Sequence, residues 1–181
     1  MPKIIEDLKT NILKESKELL IANGYNKLSM RSVSSRCEIA VGTLYNYFPN
    51  KESLVVHIFR EDWIVVSLQI DSLIYIDSDC KEKFRQIYNL LSSFSNTYLS
   101  TFYEMASKKN SSKCIESDKF KPIYQKVSEL IDYEKSKNNI ISVVDSNTLA
   151  EFIVSNLLYL NRSKYISFDD LYILLSIQGG L

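Results

Sequence analysis

Residues that interrupt helices are scarce in this chain of 181 residues, which contains only four glycines and three prolines. Three of the seven lie in the first third, one stands alone in the second half, and three mark the ends: Gly24, Gly42 and Pro49, then Pro122, then Pro2, Gly179 and Gly180. Such spacing excludes a turn-rich β-protein and predicts long helices between the breaks. The expected fold class is all-α.

The residues that commonly carry chemistry are also few. The three cysteines at positions 37, 80 and 114 are far apart and lack CxxC or Cys/His ligand spacing. His57 is the only histidine and has no partner that would suggest nucleophilic or metal chemistry. The sequence therefore predicts no enzyme, no metal centre and no cofactor.

Long hydrophobic runs are absent as well. No charged segment followed by an apolar one opens the chain, and no run approaches the ~18 apolar residues that a membrane span needs. With cysteine usage that suits a reducing compartment, these patterns predict a cytoplasmic protein without a membrane partner.

Charge is balanced over the whole chain but not within it. Residues 1–60 contain nine Lys and Arg against six Asp and Glu, a net charge of +3, and the remaining residues carry −3. Between Gly24 and Lys51, four bases face the single acid Glu38. A modest basic surface at the amino-terminal end favours contact with phosphate groups.

Capping residues place the helix boundaries. A first helix is predicted from about Ile4 to Asn23, a second from the cap Ser29 to Cys37, a third from about Val41 to Tyr47, and a fourth from the cap Asn50 towards Leu68. Four more follow, beginning near residues 78, 117, 145 and 167 and ending near residues 108, 138, 162 and 178.

The second and third helices are short and are joined by Glu38-Ile39-Ala40, which predicts a helix-turn-helix whose second member lies in the major groove of DNA. Leu44 and Phe48 are spaced i, i+4, so both should face inward. The other side of that helix then offers a glycine for close backbone approach and hydroxyl, amide and phenol groups for hydrogen bonds. The predicted DNA-binding residues are Ser29, Arg31, Val41, Gly42, Thr43, Tyr45, Asn46, Tyr47 and Lys51.

Residues 4–54, and above all the stretch NGYNKLSMRSVSSRCEIAVGTLYNYFPNKESL, resemble the DNA-binding domain of the TetR/AcrR family of bacterial transcriptional regulators. The resemblance implies a helix-turn-helix domain over residues 1–50 and a larger helical domain for effector binding and dimerisation over residues 51–181. It also implies a homodimeric repressor that binds a palindromic double-stranded operator and responds to a small-molecule effector.

Three positions depart from that family's pattern. Glu38 stands where glycine is common, Ala40 where a polar cap is common, and Val41 where lysine or a polar residue is common. Val41 can contact a thymine methyl group but cannot donate a hydrogen bond. These departures leave an alternative open, a TetR-like regulator that no longer binds DNA and acts through a protein partner.

Many of the twelve tyrosines and eight phenylalanines fall after residue 60, and as a set they predict an effector pocket, to which the lone His57 is added as a candidate. Phe94, Tyr98 and Phe102 recur at i, i+4, i+8 and draw one line along a helix, and a largely apolar cavity with a few hydroxyls suits a small-molecule site. The predicted pocket residues are His57, Trp63, Phe94, Tyr98, Phe102 and Tyr124. Each also has an ordinary structural interpretation, as a satisfied helical histidine or as a core aromatic.

The last two predicted helices are apolar over more than one narrow stripe, which exceeds what a single core contact requires. Pairing with the same helices of a second chain would bury the excess. The predicted dimer interface comprises Phe152, Leu157, Phe168, Leu171, Tyr172 and Leu175.

Overall fold

The computed structural model describes residues 6–107, 121–163 and 165–174. These residues form eight helices and no strand, which confirms the all-α class. The helices are α1 (Glu6–Lys27), α2 (Met30–Arg36), α3 (Val41–Tyr47), α4 (Lys51–Leu73), α5 (Cys80–Ala106), α6 (Lys121–Ser136), α7 (Ser146–Leu160) and α8 (Phe168–Leu174). In this part of the chain, no helix has an apolar stretch long enough to cross a membrane.

Local capping explains most of the observed boundaries. The predicted stop at Gly24 is a kink, with φ 78° and ψ 167°, after which α1 continues for one more turn to Lys27. Asn50 accepts the Ser53 N–H at 2.7 Å and begins α4, and Asp145 accepts the Thr148 N–H at 3.0 Å and begins α7. Each cap satisfies a donor that the first helical turn leaves open.

The fourth helix is longer than predicted because its apolar periodicity does not end at Leu68. Val66, Ile70 and Leu73 are all buried and return at helical spacing. The helix therefore reaches Leu73. The predicted start of the sixth helix near residue 117 and the predicted end of the eighth near residue 178 lie outside the described residues.

Two compact units divide the chain. The described part of the first unit comprises residues 6–63 and 97–107, and that of the second comprises residues 64–96, 121–163 and 165–174. α4 and α5 therefore each contribute to both units. The predicted domain boundary after residue 50 remains a prediction, since this division follows compactness alone.

The first unit has a core drawn from α1 to α4. Its fully buried apolar side chains include Ile12, Leu20, Tyr25, Val33, Leu44, Phe48, Leu54 and Ile58. α1 packs on α2, and α2 packs on α3. The kinked α1 and the short α2 and α3 thus share one hydrophobic core, which holds α2 and α3 in a defined orientation.

The second unit buries an ion pair as well as apolar residues. Lys83 Nζ lies 2.7 Å from a Glu134 carboxylate oxygen, and each side chain is only 1% exposed. Lys83 also donates to the Ile74 carbonyl at 2.9 Å, and Asn139 donates to Glu134 at 2.7 Å. These added hydrogen bonds offset part of the cost of removing both charges from water.

Candidate nucleic-acid interface

The start of α2 is fixed by a reciprocal cap. The Ser29 hydroxyl accepts the Ser32 N–H at 3.1 Å, and the Ser32 hydroxyl accepts the Ser29 N–H at 3.1 Å. This confirms the predicted cap at Ser29. Ser29 remains exposed, so the proposed contact with DNA would add to its capping role.

The turn between α2 and α3 is closed by the backbone. The Ile39 N–H donates to the Ser34 carbonyl at 3.0 Å, and Glu38 adopts a left-handed φ of 55°. Ala40 then occupies the N-cap position of α3 without a side-chain hydrogen bond. The turn that re-aims α3 therefore depends on Glu38 accepting a conformation that glycine adopts more readily.

α3 presents one face to the core and another to solvent, as its spacing predicts. Leu44 and Phe48 are both 0% exposed, which confirms that this pair faces inward. The Phe48 ring also meets the His57 ring edge-on, with the centroids 5.2 Å apart. Burial of this pair fixes which residues of α3 can meet a partner.

The predicted α3 contact residues lie on the remaining faces of the helix. Gly42, Tyr45 and Asn46 are exposed, whereas Val41, Thr43 and Tyr47 are half-buried. None of the six is packed away in the core. A Cβ atom built on Gly42 would meet no heavy atom within 4 Å, so the backbone there is open on its outer side.

The two arginines of α2 differ in what surrounds them. Arg36 donates to Glu15 at 2.6 Å and to Glu18 at 2.7 Å, and these carboxylates raise the pKa of its guanidinium. Arg31 is exposed and makes no ion pair with any residue that the structure describes. Arg31 is therefore available for a phosphate oxygen, while Arg36 ties α2 to α1.

Lys51 has a structural role that the sequence did not reveal. Its ammonium donates to the Tyr25 carbonyl at 2.8 Å and to the Leu28 carbonyl at 2.9 Å, and it lies 4.1 Å from the centre of the Tyr25 ring. The same tyrosine donates its hydroxyl proton to Glu52 at 2.7 Å. Lys51 thus holds the turn between α1 and α2, and its proposed phosphate contact would have to compete with these bonds.

A second side chain missed by sequence reasoning reaches the same turn from the end of α5. A Glu104 carboxylate oxygen accepts the Asn26 N–H at 2.7 Å. A Cβ atom at Gly24 would lie 3.1 Å from the other oxygen of that carboxylate. Glycine at position 24 is thus favoured by its φ of 78° and by the space that Glu104 occupies. No local pattern signals a contact across 78 residues.

The predicted effector residues do not all fall in one unit. His57, Trp63, Tyr98 and Phe102 belong to the first unit, and Phe94 and Tyr124 belong to the second. In the first unit, His57 and Tyr98 have the contacts expected of ordinary structural residues. The His57 Nδ1 atom lies 2.8 Å from the Ser53 carbonyl, and Tyr98 is fully buried.

Tyr98 belongs to an aromatic and polar cluster within the first unit. Its ring and that of Phe102 lie 4.7 and 4.8 Å from the Phe59 ring. Its hydroxyl donates to Asp62 at 2.5 Å, and Asp62 also accepts from Lys17 at 2.6 Å. Burial, together with the Asp62 carboxylate, raises the pKa of the Tyr98 phenol. The assignment of these residues to an effector pocket remains a prediction.

The predicted dimer residues divide by exposure. Phe152 is 56% exposed on α7, whereas the remaining four described residues are buried within the chain: Leu157, Phe168, Leu171 and Tyr172. They present little surface to a partner because they already pack inside the second unit. Leu175 lies outside the described residues.

Most of the exposed apolar surface in this region comes from other residues of α7, of α8 and of the loop before α8. Tyr159, Ile173 and Leu174 are exposed, as is Ile166. Three of these four residues, Tyr159, Ile166 and Leu174, line a groove of about 320 Å³ together with Phe152, Asn156, Leu160 and Leu171. The exposed apolar area therefore coincides with the two helices that the sequence singled out, but largely through different residues.

The described residues offer no group of three or more His, Cys, Asp or Glu side chains placed to hold a metal ion. Of the two cysteines in this part of the chain, Cys80 is buried and Cys37 is half-buried. Burial raises the pKa of the Cys80 thiol to about 12 and also raises that of Cys37. Both thiols are held in the protonated, weakly nucleophilic form at neutral pH.

Comparison with known proteins adds to this geometry. Residues 12–58 match the model of a family described as bacterial regulatory proteins, tetR family. The HTH-type transcriptional regulator UidR of Escherichia coli (strain K12) is 37% identical over 54 residues, which cover 30% of this chain and 28% of UidR. The HTH-type transcriptional repressor KstR of Rhodococcus jostii is 39% identical over 59 residues, which cover 28% of each chain.

The aligned region thus spans little more than a quarter of the length of either relative. A solved structure extends the likeness in fold to nearly the whole chain. Salmonella enterica GusR has a TM-score of 0.73 at 18% sequence identity, over 96% of this chain and 97% of its own. At that identity the likeness shows a common fold and nothing about ligands.

Proposed function

We propose that this chain is a transcriptional regulator of the tetR family that binds double-stranded DNA, because its residues 12–58 match the model of that family of bacterial regulatory proteins. Its α3 would enter the major groove, and the start of α2 would meet the phosphate backbone. The proposed contact residues are those named from the sequence, with Lys51 in a mainly structural role.

The observation that carries the proposal is the division of α3 into two faces. Leu44 and Phe48 anchor the helix in the core, while Gly42, Tyr45 and Asn46 remain exposed. The outer face of this seven-residue helix therefore presents a phenol, an amide and an open stretch of backbone side by side. Two of these groups can form hydrogen bonds with base edges or phosphates.

The proposal extends to a homodimer and a small-molecule effector. The exposed apolar residues of α7 and α8 favour pairing with a second copy, which would present two α3 helices to a palindromic operator. An effector in the larger domain would act by binding one arrangement of the two helices better than the other. Repression is the mode we propose, since the relative KstR is an HTH-type transcriptional repressor.

A regulator that acts through a protein partner is the alternative, and one observation favours it. Of the four bases between Gly24 and Lys51, Arg36 is paired with two carboxylates and Lys51 donates to two carbonyls, so the surface offers fewer donors to phosphate than the sequence suggests. Titration of labelled duplexes tiled across the DNA that flanks the chain's own gene separates the two proposals. If the protein binds neither these duplexes nor random-sequence DNA, the result favours the protein partner.

Substitution of the two α2 arginines tests the DNA-binding surface itself. In Arg31→Ala, we expect the plot of log K against log salt concentration to become shallower by about 1, because one phosphate contact is lost. The matched variant Arg36→Ala should change that slope by less than half as much, since its guanidinium is engaged by Glu15 and Glu18. Equal slopes for wild type and Arg31→Ala would exclude Arg31 from the contact surface.

A further inference from the structure

Glu38 holds a backbone conformation that L-residues adopt at a cost. Its φ is 55°, and Asn138 is the only other non-glycine residue with a positive φ in the described part of the chain. Glycine avoids this cost because it has no Cβ atom. Residues that persist in strained backbone conformations often have a side chain with a functional role.

The Glu38 side chain contributes nothing visible to the turn in which it lies. Its carboxylate is exposed and forms neither a hydrogen bond nor an ion pair with the residues that the structure describes. The turn is held by backbone bonds, from Ile39 N–H to the Ser34 carbonyl at 3.0 Å and from Glu38 N–H to the Ser35 carbonyl at 3.3 Å. The carboxylate can therefore be changed without removing a contact that closes the turn.

The charge of that carboxylate opposes fewer exposed cations in the folded protein than the sequence suggests. Of the four bases between Gly24 and Lys51, Arg36 is paired with two carboxylates and Lys51 is bonded to two carbonyls. Lys27 and Arg31 are exposed and lack an ion pair among the described residues. Glu38 therefore offsets the charge of one of these two exposed cations.

Glu38 is also close enough to α3 for its charge to act there. Three steps of 3.8 Å along the chain place its Cα atom at most about 11 Å from that of Val41. The screening length at physiological ionic strength is about 8 Å and lengthens as salt is removed. A carboxylate at this distance acts on phosphates that approach the start of α3, and it acts most strongly at low salt.

We propose that Glu38 limits the affinity of the α2–α3 surface for duplex DNA through its charge. The inference rests on the proposed function, because it concerns the same surface. The carboxylate repels phosphates whatever their sequence, which leaves the short-range contacts of α3 to supply most of the affinity. Binding by charge alone, the main source of affinity for non-operator DNA, is thereby kept weak.

Two variants separate the charge of Glu38 from its strain. Glu38→Gln removes the charge and keeps the side-chain length, and Glu38→Gly removes both the charge and the strain. Both should bind a random-sequence duplex more tightly than wild type at about 50 mM salt, by roughly two- to fivefold, and the gain should shrink at about 200 mM salt. Only Glu38→Gly should also raise the midpoint of thermal unfolding, since only glycine relieves the positive φ.

Three results would overturn the inference. One is equal affinity of wild type and Glu38→Gln at low salt, and another is a gain that does not depend on salt. The third is weaker binding by Glu38→Gln at a duplex from the gene's own flank, which would show an attractive base contact instead. If wild type binds no duplex at any salt concentration, the proposed function fails first. If wild type binds and Glu38→Gln is unchanged, only this inference fails.

Discussion

Gly42 offers the sharpest separation of folding from DNA binding. A Cβ atom at this position would meet no heavy atom within 4 Å, and the residue lies in the first turn of α3 with an ordinary helical backbone. Gly42→Ala should therefore cause no clash within the protein. Alanine is favoured over glycine inside a helix by about 0.5–1 kcal/mol, which is worth roughly 1–4 °C in the unfolding midpoint of a chain of this size.

The same methyl group would stand on the face that we propose enters the major groove. We expect Gly42→Ala to bind a duplex from the gene's own flank at least about tenfold more weakly, a loss of about 1.4 kcal/mol, because the backbone can no longer approach as closely. Thermal unfolding and fluorescence titration of the same preparation measure both effects. Ser100→Ala, an exposed change to alanine on α5 in the same unit, is the control and should leave binding unchanged. A variant that is more stable and binds DNA as well as wild type would refute the assignment of this face.

Two further predictions concern the second unit. Lys83→Met should lower the free energy of unfolding in denaturant by about 3–5 kcal/mol, because Glu134 is left as a buried, unpaired carboxylate, and the double variant Lys83→Met/Glu134→Leu should recover most of that loss. A small effect of the single variant would show that the pair is not buried in solution. Phe152→Asp should shift the chain towards the monomer in sedimentation, since it puts a charge into the exposed apolar surface of α7, whereas Tyr75→Asp should not. A wild-type chain that is monomeric would refute the proposed dimer.

The boundaries of α2 and the inward face of α3 could be predicted because the groups that set them are local. Ser29 and Ser32 are three residues apart and cap each other, and Leu44 and Phe48 share a face because a helix brings positions i and i+4 together. Interactions of this kind depend on the backbone conformation of a few neighbouring residues. They are therefore visible in a single sequence.

Lys51, Glu104 and Arg36 show where local reasoning stops. Lys51 lies in the first turn of α4, as predicted, but its ammonium bonds to carbonyls 26 and 23 residues earlier in the chain. Glu104 meets Asn26 across 78 residues, and Arg36 meets Glu15 across 21. The sequence supplies these charged groups without showing which ones the fold engages in bonds within the protein. Arg36 is balanced by two carboxylates and Lys51 keeps its charge but turns its donors inward, so the surface from Gly24 to Lys51 offers fewer donors to a phosphate than the sequence suggests.

The apolar surface of the second unit divides in the same way. Periodicity identified α7 as apolar on more than one face, yet Leu157 is buried in the chain while Phe152 and Tyr159 are exposed. Which apolar face is left over depends on how much area the neighbouring helices cover. That area is a property of the packed unit and not of the helix alone.

The sequence by itself determined the helical class, the caps of α2, α4 and α7, and the inward pair of α3, because each depends on residues within one or two helical turns. The tertiary structure decided which cations remain available to contact phosphate and which apolar side chains stay exposed. It also decided how many exposed cations the Glu38 carboxylate stands against. Those properties depend on groups brought together across tens of residues, where burial and competing partners set the balance between a bond within the protein and a bond to something else.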